Sequence, residues 1–133
     1  MTKQKNILVV DDDPVFKLIA RKLFERSGDM FNVAFAENGL DALQQLKKKI
    51  ESNDVPMPDI ILLDIEMPIL NGWGFMDEFI KLPETKTKGI DVYTVSSSIA
   101  QEDKNKTASY PQIKAYITKP LTLDIIKQIA EAP

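Results

Sequence analysis

The chain has 133 residues, 44% of them hydrophobic and 28% charged, with a net charge of −3; this is the profile of one soluble globular domain, and the thinly spread basic residues exclude a nucleic-acid binder. Cysteine and histidine are both absent, which excludes disulfides, thiol chemistry, Ser-His-Asp catalysis, imidazole-dependent zinc sites and a role as phosphohistidine carrier. The polar opening Met1 to Asn6 is too short for a signal peptide and no apolar run approaches the roughly 18 residues of a membrane span, so a cytoplasmic protein without membrane contact is expected.

Residues 5–10 form a nearly unbroken apolar run of strand length, which suits a central strand buried on both faces. Asp13 and Pro14 read as a helix N-cap followed by proline at the first helical position. In that helix Val15, Leu18, Ile19 and Leu23 form one apolar stripe and Phe16, Ala20 and Phe24 another, predicting packing on more than one side; Ser27-Gly28 ends it. Phe31, Val33 and Phe35 alternate with Asn32 and Ala34 as a second strand. Asn38-Gly39 turns into a helix over about residues 40–50, with Leu40, Leu43 and Leu46 facing inward and Lys47-Lys48-Lys49 on a solvated face.

A polar, proline-containing loop covers 51–58, and 59–63 is the third strand. After a loop over 67–72, residues 73–82 read as a helix with Phe75, Phe79 and Leu82 on one side and Met76 and Ile80 beside them, stopped by Pro83. Residues 90–95 are a fourth strand, 101–109 a weak helix cut short by Pro111, and 114–118 a fifth strand. Thr122 caps a last helix in which Leu123, Ile126, Ile129 and Ala130 pack inward. Five strands alternating with five helices predict an α/β fold: a doubly wound parallel sheet with helices on both faces.

Three of these strands run directly into charge. Ile7-Leu8-Val9-Val10 leads into Asp11-Asp12-Asp13, Ile60-Ile61-Leu62-Leu63 into Asp64, and Ala115-Tyr116-Ile117-Thr118 into Lys119-Pro120. The carboxyl ends of the strands in an open parallel sheet share one edge, where ligands bind. Any one of these runs alone is an ordinary turn; their joint placement predicts one acidic pocket with one lysine. Two carboxylates about 4 Å apart repel by roughly 1 kcal/mol in water and about 4 kcal/mol at an effective dielectric of ~20. A cluster of them therefore calls for a hard cation, Mg²⁺ or Mn²⁺, and with a lysine beside it the pocket suits a phosphoryl group.

These three segments, with Asp59-Ile60-Ile61-Leu62-Leu63-Asp64-Ile65-Glu66-Met67-Pro68-Ile69-Leu70-Asn71-Gly72 at their centre, resemble the receiver domain of two-component response regulators in order and spacing over about residues 5–131. The resemblance implies the flavodoxin-like strand order 2-1-3-4-5. It implies that Asp64 is the phosphoacceptor, that Asp12 binds the metal directly and Asp11 mainly through water, and that Asp64 and the backbone carbonyl of Glu66 complete the protein ligands. Lys119 would pair with the phosphoryl oxygens, and its bond to Pro120 would be cis. The partners it implies are a histidine kinase or a histidine phosphotransfer protein as donor and an unknown protein target downstream, with a homodimer left open.

The switch hydroxyl must come from the fourth strand. Thr94 lies inside that strand by alternation, whereas Ser96 follows its last apolar residue and precedes Lys119 by about the family's separation, so Ser96 is the candidate. Tyr116 holds the place of the family's switch aromatic. The readout surface would be the 101–109 helix, the fifth strand and the last helix. There the chain departs from its relatives: the 101–109 helix is poor in apolar residues and Tyr110-Pro111 replaces a small-residue turn. The 51–58 loop is also long, and Glu66 and Ser98 flank the pocket where they could tune hydrolysis.

The receiver pattern consumes residues 1–133, so a stand-alone receiver without an output domain is expected. Two other readings stay open. Asp64-Ile65-Glu66 superficially resembles the opening of a haloacid-dehalogenase-like phosphatase, although Glu66 and Pro68 occupy places where that family wants other residues. A phosphate-independent adaptor that keeps the receiver fold is the second. Trp73, expected near the loop after Asp64, would report metal binding in one case and not the other.

Overall fold

The apolar runs of β1 (Lys5–Val10) and β3 (Ile60–Asp64) lie in the middle of a five-stranded parallel sheet, where both faces are covered and no alternation with polar residues is needed. The computed structural model describes residues 4–131 except 29, 53–54, 68 and 98–100; Ser98, placed beside the pocket by sequence, and Pro68 of the signature lie outside the described residues. Strand order is β2-β1-β3-β4-β5, with β2 (Phe31–Ala36) and β5 (Ile113–Thr118) at the edges and β4 (Asp91–Ser96) between β3 and β5. This is the predicted order. β2 buries Phe31 and exposes Asn32 and Ala34, as its alternation requires.

Two apolar layers sandwich the sheet. One joins Leu8, Val10, Ile61 and Leu63 to Leu43 and Leu46 of α2 (Gly39–Ser52) and to Phe75, Met76 and Phe79 of α3 (Gly72–Phe79). The other joins Ile7, Val9, Ile60, Leu62 and Val95 to Phe16, Ala20 and Phe24 of α1 (Pro14–Arg26) and to Ile126 and Ile129 of α6 (Leu123–Glu131).

Helix ends follow their local chemistry. Asp13 accepts from the Val15 N–H at 2.9 Å with Pro14 at the first helical position, and Gly28, at φ 83°, turns the chain out of α1. Asn38 accepts from Asp41 N–H, Asn71 from Gly74 N–H, and Thr122 from Ile125 N–H. Six helices are present among the described residues where five were expected. α3 ends at Phe79, short of the expected 82 and ahead of Pro83; instead of stopping that helix, Pro83, at φ −56°, starts the single turn α4 (Glu84–Thr87), whose first bonds are received by the Pro83 carbonyl. The weak helix is α5 (Gln101–Thr107), shorter than expected.

Three apolar expectations are corrected. Val15, Leu18 and Ile19 are exposed, because α1 touches the sheet along Phe16, Ala20 and Phe24 and none of the described residues covers its opposite side. Leu40 is exposed at the first turn of α2, before that helix settles onto the sheet at Leu43. Ile80 is exposed because α3 ends at Phe79.

Candidate functional site

Parallel strands deliver Asp11, Asp64, Ser96 and Lys119 to one edge. Asp11 follows β1, Asp64 ends β3, Ser96 ends β4 and Lys119 follows β5. Backbone bonds stitch these ends together: Ile65 N–H donates to the Val95 carbonyl at 3.3 Å and Lys119 N–H to the Ser96 carbonyl at 2.8 Å. The Lys119–Pro120 bond is cis, as expected.

The carboxylates of Asp11, Asp12 and Asp64 converge, with one oxygen from each within 4.8 Å of the others. Asp11 is fully buried and Asp64 nearly so, while Asp12 is exposed. Asp11 accepts from the Asp13 N–H at 2.8 Å and from Lys119 Nζ at 3.1 Å. Asp64 accepts from the Glu66 N–H at 3.3 Å and stands 3.7 Å from Lys119 Nζ. Burial first, then the Asp11 charge, pushes the Asp64 carboxyl up from 3.8 to about 7. Burial also raises Asp11, against the opposing pull of the Asp13 N–H and Lys119. Burial alone would lower the Lys119 ammonium, but Asp11 and Asp64 outweigh it and hold it above its ordinary range. Carboxylates so placed resist ionising together. Three oxygens of hard character crowded at one point fit an oxygen-seeking divalent cation.

Several contacts here had no signal in the sequence. Phe16 of α1 lies under Lys119, with Nζ 4.4 Å from the ring centroid, so the aromatic face fixes the ammonium over the pocket. Gly72 is forced by proximity: a Cβ there would meet the Ile65 Cα at 2.8 Å and the Asp64 carbonyl oxygen at 2.9 Å. Its N–H closes the loop after β3 by donating to the Ile65 carbonyl at 2.9 Å. Ile69 in the same loop has φ 71°, a conformation costly for a β-branched residue.

Ser96 is fully buried, and its hydroxyl donates to Glu66 Oε1 at 3.2 Å. Thr94 is likewise buried, but its hydroxyl donates to the Ala115 carbonyl at 3.5 Å, away from the strand ends. Tyr116 is half-buried on β5 opposite Thr94 and packs against the α2–α3 layer. It also lines an apolar groove of about 430 Å³ with Tyr93, Ile125 and Ile129.

Tyr110, which interrupts the usual turn, has a definite place. Its ring stacks on Trp73 at 5.8 Å and 12°, its hydroxyl donates to Asp77 at 2.6 Å, and Lys106 lies 5.3 Å over Trp73. Trp73, in the first turn of α3, is therefore tied to the segment after α5. Separations of more than 30 residues left no periodic trace of this cluster in the sequence.

Comparison with known proteins agrees with this fold. Residues 7–131 match the family model for the response regulator receiver domain. The sensor histidine kinase CheAY of Helicobacter pylori is 31% identical over 136 aligned positions, covering 98% of this chain and 16% of that protein. A two-component response regulator from Cytophaga hutchinsonii superposes with a TM-score of 0.85 at 23% identity, covering 96% of this chain and 95% of the other. The phosphorylated cyanobacterial phytochrome response regulator RcpA superposes at 0.77 with 26% identity, covering 97% and 90%. The chain spans 16% to 26% of the length of the first curated relatives it matches. No helix among the described residues is long and apolar enough to cross a membrane.

Proposed function

The chain belongs to the response regulator receiver family, and on that premise we propose that it is a phosphoacceptor signalling domain in which Asp64 takes a phosphoryl group from a phosphohistidine. The observation that carries the reading is the convergence of Asp11, Asp12 and Asp64 on one point with Lys119 within 4 Å of two of them. A structural ion pair needs one carboxylate per lysine. Three carboxylates around one ammonium leave an excess of negative charge that a divalent metal would neutralise, and the metal with the lysine would then let a phosphoryl group share the pocket.

In this reading an Asp64 carboxylate oxygen attacks the donor phosphorus while the bond from phosphorus to the donor imidazole breaks, and that nitrogen keeps the electron pair. The carboxylates of Asp11, Asp12 and Asp64 and the Glu66 carbonyl would hold Mg²⁺ or Mn²⁺, which supplies the positive charge that lets acidic groups and phosphate share the pocket. Lys119, steadied by Phe16, leans toward the phosphoryl oxygens. Ser96 then turns its hydroxyl to the same group, and Tyr116 follows inward. The aspartyl phosphate carries close to two negative charges where the ionised carboxylate carried one, enough to bias a two-state surface.

Partners follow from the chemistry. The donor is a histidine kinase or a histidine phosphotransfer protein in the cytoplasm, where ATP is available to it. The exposed row Val15, Leu18 and Ile19 begins two residues past Asp13 and gives such a protein an apolar surface beside the pocket. The downstream partner is a protein, reached through α5, β5 and α6. This is a signalling domain and not an enzyme with a separate substrate, and the phosphatase reading raised by Asp64-Ile65-Glu66 finds no support in the family.

The test is intact mass after incubation with Mg²⁺ and acetyl phosphate, beside an Asp64→Asn control. Gain of one phosphoryl group, only with metal and only with Asp64 present, is the expected result. No gain from acetyl phosphate or from a phosphohistidine donor would overturn the reading in favour of a phosphate-independent adaptor.

A further inference from the structure

We infer that the Glu66 side chain is a positioning residue that holds Ser96 in its resting orientation and so competes with the phosphoryl group for it. The inference rests on the phosphoacceptor reading of Asp64 and concerns what opposes the switch. Ser96 is fully buried at the end of β4, and its hydroxyl donates to Glu66 Oε1 at 3.2 Å. A hydroxyl has one proton and donates to one acceptor at a time. A phosphoryl oxygen on Asp64 would need that same proton. The bond to Glu66 and the bond to phosphate therefore exclude each other, and the first must break before the second forms.

The acceptor loop sets this competition. Glu66 lies two residues past Asp64, and its own N–H donates to Asp64 Oδ1 at 3.3 Å, so backbone and side chain of one residue bind the acceptor and the switch hydroxyl together. The carboxylate is exposed at the mouth of the pocket while the hydroxyl it holds is buried. Glu66 can swing into solvent when released, whereas Ser96 can only turn toward another acceptor within the pocket. Replacing Glu66 with a residue unable to accept should ease the switch; replacing it with glutamine, which accepts through its own Oε1, should largely keep the latch while removing the charge.

The experiment compares the unsubstituted protein, Glu66→Gln and Glu66→Ala, each with Ser96 and with Ser96→Ala. Affinity for beryllofluoride in the presence of Mg²⁺ is read from the fluorine NMR signal of the bound ligand. Charge removal is common to both Glu66 variants, so the difference between them isolates the hydrogen bond. With Ser96 present, Glu66→Ala should bind about five-fold tighter than Glu66→Gln, the worth of one ordinary hydrogen bond. In the Ser96→Ala background the two variants should bind alike. Equal affinities with Ser96 present, or a difference that survives in Ser96→Ala, would overturn the latch while leaving the phosphoacceptor reading intact. No saturable signal in the unsubstituted protein would overturn that reading, and the latch with it.

Discussion

Lys119 is hydrogen-bonded to Asp11 at 3.1 Å and stands off from Asp64 at 3.7 Å. The lysine thus gives its bond to Asp11 and only its charge to Asp64. Its ring contact with Phe16 holds it between the two. Formation of an aspartyl phosphate would shift that balance without moving the backbone at Lys119, which is tied to Ser96.

Removing this ammonium leaves Asp11 buried without its only charged donor among the described residues. Lys119→Ala should destabilise the protein by about 2 kcal/mol at neutral pH, below the usual cost of breaking a buried pair because the lysine is partly exposed. Denaturant unfolding measures this. Lys119→Arg should recover little of it, since a planar fork does not fit the point-charge position over Phe16.

The raised Asp64 carboxyl makes stability depend on pH. Its native value is about 7 and its ordinary value 3.8, so between these the native state holds a proton that the unfolded chain has released. The stabilisation is complete below about pH 4 and is lost as pH rises through about 7. Asp11 is shifted in the same direction. Metal-free protein should therefore weaken between these limits, and Asp64→Asn should exceed it by on the order of 2 kcal/mol above about pH 8 while matching it at about pH 4. Mg²⁺ should restore the lost stability of the unsubstituted protein and do little for Asp64→Asn. Unfolding midpoints across pH, with and without Mg²⁺, decide it.

Gly72 faces backbone atoms that cannot step aside. Gly72→Ala should cost about 2 kcal/mol by overpacking. It should also slow phosphoryl uptake from acetyl phosphate roughly ten-fold by displacing the loop that carries Asp64 and Ile65. An uptake rate equal to that of the unsubstituted protein would show that the loop absorbs the methyl group elsewhere.

Ile69 carries the opposite expectation. At φ 71° and largely exposed, it loses nothing in packing when replaced. Ile69→Asn should stabilise the protein by about 1 kcal/mol, because asparagine tolerates the left-handed region. Thermal unfolding would register this as a higher midpoint.

The bond from Tyr110 to Asp77 holds the phenol proton first, with burial second, and pushes it up from 10.0 to about 12. An alkaline absorbance titration should show this phenol ionising late, and Asp77→Asn should bring it back toward the ordinary range. Trp73 emission should respond to Tyr110→Ala and hardly to Tyr110→Phe, because the ring provides the stack.

Much of this was legible in the sequence, and the reasons are particular. Period and strand length placed β1 and β3 in the centre, and Asp11, Asp64 and Lys119 announced a shared pocket because the ends of parallel strands must meet. A stripe of apolar residues does not say what covers it: Leu18 and Leu40 continue apolar stripes in the sequence yet stand exposed in the fold. The Trp73–Tyr110 stack and the Ser96–Glu66 bond join residues 37 and 30 positions apart, whose pairing depends on loop geometry that no local pattern encodes.

The two layers of the sheet divide the labour of the pocket. Asp11, Asp64 and Lys119 continue the rows that hold Ile7 and Val9, Ile60 and Leu62, and Ile117, all turned toward α1 and α6. Ser96 continues the row of Val92 and Thr94, turned the other way, and Tyr116 packs on that second layer as well. On the phosphoacceptor reading, charge would be received on one side of the sheet and answered on the other. A bond between Ser96 and a group on Asp64 would be a strap over the rim of the sheet, and tension in it would pull the α2–α3–α5 side toward chemistry performed on the α1–α6 side.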